Sequence, residues 1–153
     1  MFDLVDHYNS GPKSEMVYQM PMTSWHPYYY NVVYSIELDD IHVGDVLLCG
    51  ATSECTTEHP FNVQVCGYII LAESKHDTKG EVIVPAFGGN VDRNEHHRPF
   101  TCTGTIKVEK QGYKYVNFIL YVASTAALPN DIIVVEQDYG RLYVLQYRER
   151  KND

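Results

Sequence analysis

From Tyr30 onward the chain is a succession of short apolar runs cut by turn residues. This punctuation constrains the fold more than any other feature. The runs are "NVVYSIEL" (31–38), "DVLLCGATSEC" (45–55), "NVQVCGYIILAE" (62–73), "EVIVPAF" (81–87), "PFTCTGTIKVE" (99–109), "YKYVNFILYVAS" (113–124), "DIIVVEQ" (131–137) and "RLYVLQY" (141–147). Each is rich in Val, Ile, Tyr or Thr and is bounded by Gly, Pro, Asn or Asp, the composition of strands and turns. No stretch keeps a 3.6-residue period. Eight strands at roughly ten-residue spacing predict an all-β chain, an eight-stranded jelly-roll β-sandwich.

Several runs are apolar on both faces. In Tyr115–Ala123 the even positions are Val116, Phe118, Leu120 and Val122; the odd ones are Tyr115, Asn117, Ile119, Tyr121 and Ala123. In 62–73, Val65, Ile69 and Leu71 oppose Cys66, Tyr68 and Ile70. In 141–147, Leu142 and Val144 oppose Tyr143, Leu145 and Tyr147. One face lies on the core; the other needs a cover that no helix supplies. The candidates are the N-terminal segment and further copies of the chain. Homo-oligomerisation is the simplest answer, because burying ~600 Å² of apolar area contributes on the order of 15 kcal/mol before association costs. A three-fold contact through Tyr68, Tyr115, Ile119, Tyr121, Tyr143, Leu145 and Tyr147 is expected.

Residues 1–29 read differently. They hold Pro12, Pro21 and Pro27 and the aromatic run "SWHPYYY", and no alternation persists. Prolines at this density favour an extended arm. Its apolar residues need a surface, and a neighbouring subunit is the preferred one. Met16, Tyr18, Met20, Met22, Trp25, Tyr28, Tyr29 and Tyr30 are the expected contacts to neighbouring subunits. The organisation is thus an arm at 1–29, a sandwich at 30–148 and a charged tail at 149–153.

Charge and cysteine usage exclude several classes. The net charge is −8, and no basic run appears beyond "RERK" at 148–151, so nucleic acid is not an expected partner. No apolar run approaches the ~20 residues of a membrane helix. The acidic start carries no secretory pattern, so folding in a cytoplasm is expected. Cys49, Cys55, Cys66 and Cys102 lack C-x-x-C spacing; three lie inside strand-like runs, Cys55 closes one, and they are read as reduced, buried hydrophobes.

Catalytic and metal patterns are weak. "GGNVDRNEHHRPF" (88–100) offers oxygens on Asn90, Asp92, Asn94 and Glu95 and nitrogens on His96 and His97. A calcium loop would need Gly where Glu95 stands and Glu where Thr101 stands. A cupin-like metal site would need His-x-His, and adjacent histidines point to opposite strand faces. No G-x-S-x-G occurs. No cofactor, metal or catalytic residue is expected, and the chain is read as a non-enzyme. Tyrosine suits covered yet partly wet surfaces. It also stacks on sugars, so a glycan-binding role with "SWHPYYY" as platform is the alternative; in a terminal binding domain the surface loops 56–60, 74–80 and 88–98 would carry the binding.

The closing stretch "KYVNFILYVAST" followed by "NDIIVVEQDYGRLYVLQYR" resembles the last strands of jelly-roll structural proteins of bacteriophages. These are capsid cement (decoration) proteins and terminal domains of head and tail fibres. The trimer-forming shape is similar to that of tumour-necrosis-factor and C1q-type domains. The resemblance spans about residues 30–148. It implies a virion structural protein on the capsid surface, a homotrimer bridging subunits of the major capsid protein. The alternative it implies is the receptor- or glycan-binding head of a phage fibre.

Overall fold

The computed structural model describes residues 1–10, 16–20, 30–56, 63–91, 98–122, 131–135 and 140–151. These form two antiparallel sheets and no helix. The eight expected strands are all present: β3 (Tyr30–Glu37), β4 (Val46–Thr56), β5 (Val63–Ala72), β6 (Glu81–Val91), β7 (Arg98–Lys107), β8 (Tyr115–Val122), β9 (Asp131–Val135) and β10 (Arg141–Glu149). Two more come from the segment expected as an arm, β1 (Phe2–Ser10) and β2 (Met16–Met20). β1 lies along β10 from Phe2↔Glu149 to Ser10↔Leu142, and β2 lies along β9.

The larger sheet runs β1-β10-β4-β9-β2, with β7 on the opposite edge of β4. The smaller runs β3-β8-β5-β6. The period-two alternation sends Leu47, Cys49, Ala51, Leu142 and Val144 of the first sheet onto Val65, Ile69, Leu71, Val116, Phe118 and Leu120 of the second. Packing these faces removes about 25 cal/mol per Å² of apolar surface from water. A register shift between Val32 and Tyr34 buries Val33 beside Tyr34, whose ring meets Phe118 edge-on at 6.4 Å. Cys49, Cys55 and Cys66 are buried, Cys102 is half-buried, and none forms a disulfide.

β6 is longer than its sequence pattern. "GGNV" continues the strand, pairing Gly88 to Val91 with Cys66 to Val63. Glycine is needed there, because a Cβ on Gly88 would meet the Val65 carbonyl. At the opposite end β10 runs into the basic tail. Arg148 reaches the buried Asp45 carboxylate with Nε 2.9 Å from Oδ1 and Nη2 3.0 Å from Oδ2. Gln146 donates to Asp45 Oδ2 at 2.8 Å, and the His42 N–H donates to it at 2.9 Å. Burial alone would raise the Asp45 pKa; the Arg148 guanidinium, the His42 N–H and Gln146 together hold it below its ordinary value. Arg150 pairs with Asp3 of β1 at 2.7 Å, so the tail fastens the first strand.

Candidate contact faces

The two sheets leave two outward faces, and the expected contact residues divide between them. On the larger sheet the register sets Leu4, Tyr147 and Val46 in one row, with Lys107 beyond. The next row is His7, Leu145, Leu48 and Thr105. The third is Asn9, Tyr143, Gly50 and Thr103. Gly50 has no side chain, and the Tyr143 ring lies over it. Leu4 is 52% exposed and Tyr143 39%; Val46, Leu48, Leu145 and Tyr147 are half-buried. Three adjacent strands thus present an open apolar strip with threonines of β7 along one side.

On the smaller sheet the outward rows are Tyr30–Tyr121–Cys66, Val32–Ile119–Tyr68, and Ser35–Asn117–Ile70–Val82. Ile119, Ile70 and Ala72 form a second small core here, with Val32, Tyr68 and Tyr115 against it. Their cover is internal. The segment joining β5 to β6 (residues 73–80), read from sequence as a plain turn, folds back over this face. Asn117 holds it: Nδ2 donates to the Ser74 carbonyl at 3.0 Å and the Asp77 carbonyl at 2.9 Å, while Oδ1 accepts from Ser35 Oγ at 2.6 Å. The Tyr68 hydroxyl donates to the Thr78 carbonyl at 2.6 Å. Burial, and secondarily the neighbouring Tyr30, pushes the Tyr68 phenol up to about 12. An amide in the middle of an otherwise apolar strand was the sequence signal for this anchor.

The cover stops short of the tyrosines. Tyr30 and Tyr121 lie 5.0 Å apart with planes tilted by 31°, and Tyr68 meets both edge-on at 6.3 and 5.9 Å. Beside them opens a concavity of about 450 Å³. Its floor is Tyr68, Ile70 and Tyr121. Val82, Pro85 and Ala86 of β6 form one wall, and Thr78–Gly80 form the other. Thr78, Lys79 and Gly80 also border a second, polar cleft of about 670 Å³ with Glu73, His76, Asp77, Glu81, Lys110 and Tyr113.

Tyr68, Tyr115, Ile119 and Tyr121 therefore share one face, and Tyr143, Leu145 and Tyr147 the opposite one. Ile119 is wholly buried within its own chain. Met16, Tyr18 and Met20 sit on β2 at the edge of the larger sheet. Met22, Trp25, Tyr28 and Tyr29 lie outside the described residues, as do Asp92, Asn94, Glu95, His96 and His97. Among the described residues no group of three His, Cys, Asp or Glu side chains could hold a metal ion.

No protein-family model matches the chain, and no curated protein matches it. Among solved structures it is similar to the CBM22-1 xylan-binding domain from Paenibacillus barcinonensis Xyn10C, with 11% identity over 94% of this chain and 87% of that one, at a TM-score of 0.38. It is also similar to the infectious bursal disease virus VP2 subviral particle, at 14% identity over 96% of this chain and a TM-score of 0.29. For the Gx strain of that virus the identity is 11% and the TM-score 0.34. The chain spans about two fifths of those viral chains, 42% and 41%. At this level of likeness no residue correspondence carries over.

Proposed function

We propose that the chain is a non-catalytic structural protein of a virion, a cement protein that assembles as a homotrimer and bridges subunits of the major capsid protein at the capsid surface. The observation that supports self-assembly is the open strip of the larger sheet: Leu4, Val46, Leu48, Tyr143, Leu145 and Tyr147 on three adjacent strands. Exposed contiguous apolar surface of this kind marks association sites. An apolar sheet face can pack against its own copies around a three-fold axis. The virion setting rests on the resemblance of the closing strands to phage jelly-roll modules. Many weak bridges across a shell would add up through effective concentration, so a small contact per copy suffices. Nucleic acid and membrane have no part in this reading.

Sedimentation of the purified protein tests it. The expected species is three copies of 17.6 kDa, about 53 kDa. Leu145→Glu or Tyr147→Asp is expected to give a folded monomer that no longer co-sediments with empty shells of its own virus. Point substitutions are preferable to deleting residues 1–29, which would strip β1 from β10. A persistent wild-type monomer that still coats shells would overturn the trimer, and shells left bare by the wild type would overturn the cement role.

A further inference from the structure

We propose that the outward face of the smaller sheet, away from the proposed trimer contact, is a binding site for a neutral oligosaccharide. Its centre is the concavity beside Tyr30, Tyr68 and Tyr121. A pyranose has one apolar C–H face and a rim of hydroxyls that both donate and accept. The three rings and Val82 supply a matching apolar floor and wall; Tyr30 is 48% exposed and Val82 57%. The adjoining cleft supplies the rest. Thr78, Lys79 and Gly80 border both spaces, so the apolar floor and the polar cleft flank one short stretch of chain. The polar cleft is lined by Glu73, Asp77 and Glu81 together with Lys79 and Lys110.

Charge of both signs in one cleft leaves neither an anion nor a cation a surface of one sign to pair with. An acyl chain would fill the apolar part but would leave the polar cleft unmatched. A neutral polyhydroxyl chain satisfies both: one ring stacks on the tyrosines, and the next lays its hydroxyls among acceptors and donors. The same cleft would admit an uncharged polar peptide, an outcome the experiment separates.

Titration calorimetry with cellotetraose, chitotetraose and mannotetraose, beside the anionic tetragalacturonate and an uncharged Gly/Ser/Asn tetrapeptide, tests the site. At least one neutral tetrasaccharide is expected to bind at millimolar affinity or tighter, and tetragalacturonate much more weakly. Tyr121→Ala and Tyr30→Ala are expected to weaken binding by about tenfold each. Tyr121→Phe, which keeps the ring, should retain most of it, and circular dichroism confirms the fold of each variant. Leu145→Glu, on the opposite face, should leave sugar binding intact whatever it does to assembly. Three silent neutral sugars, binding indifferent to both Ala variants, or capture of an uncharged peptide in place of sugar would overturn the proposal.

Discussion

Asn117 shows how one polar residue organises a face. It lies wholly buried on β8, between Tyr115 and Ile119, and its amide completes hydrogen bonds to Ser35, Ser74 and Asp77. A buried amide is tolerated only when its donors and acceptor are matched, and here the two donor bonds also fix the loop that covers Ile119 and Ile70. Asn117→Ala is expected to lower unfolding free energy by about 2–3 kcal/mol in urea titrations. Faster amide exchange across residues 74–80 should accompany it. Unchanged exchange in that loop would show that something else pins it. The inward and outward sets of β5, β8 and β10 were legible because period two is rigid. The anchoring role was not, because the loop contributes carbonyl oxygens, which every sequence has. Its own side chains, Lys75, His76 and Asp77, read as an ordinary solvated turn.

At the scale of elements, the eight runs from β3 to β10 were legible in their boundaries to within a few residues, since β-branched and aromatic residues alternate between turn residues. β1 was not, and its irregularity explains why. The pairing with β10 shifts between Leu4 and Asp6, a bulge at Val5. Phe2 and Leu4 therefore share a face with His7, while Tyr8 turns inward, and the alternation in "FDLVDHYNS" breaks halfway. The strand is secured by its partner's tail, through Arg150 and Asp3, which no local pattern reveals. β6 was cut short for a related reason: two glycines read as a loop, yet Gly88 is what lets β6 approach β5. Gly88→Ala places a methyl against the Val65 carbonyl and 2.7 Å from Cys66 Sγ. It is expected to cost about 1–3 kcal/mol, because backbone on the partner strand cannot step aside. An unchanged urea midpoint for this variant would mean that the two strands do not pair there.

The whole molecule inherits a pH window from groups buried on opposite sides of their titration. Asp45 is held below its ordinary pKa of 3.8, so the unfolded chain binds a proton there before the folded one does. Stability from this group is present above that value and is lost as pH falls through the lower folded pKa. On the alkaline side the sign reverses. Burial, and secondarily the proximity of Cys102, pushes the Cys49 thiol from 9.0 to about 12, and burial pushes Cys102 to about 11. Burial likewise raises the Tyr8 phenol to about 12; the Asp39 N–H that donates to its oxygen works against the rise, and the Asp6 carboxylate adds to it. These groups stay protonated in the fold while the unfolded chain releases its protons, so stability falls as pH climbs above about 9. Three units on Cys49 alone correspond to on the order of 4 kcal/mol by pH 12. Urea midpoints measured from pH 3 to 11 should form a plateau with a falling limb at each end. Asp45→Asn should lower the plateau and flatten the acid limb, while Cys49→Ala should flatten the alkaline limb and leave the acid one alone. A thiol reagent at neutral pH should find Cys49 silent until the protein is unfolded, since a buried thiol with so high a pKa offers almost no thiolate. Native labelling of Cys49 at the rate of a free thiol would contradict its burial between the two sheets, and with it the packing from which both outward faces are defined.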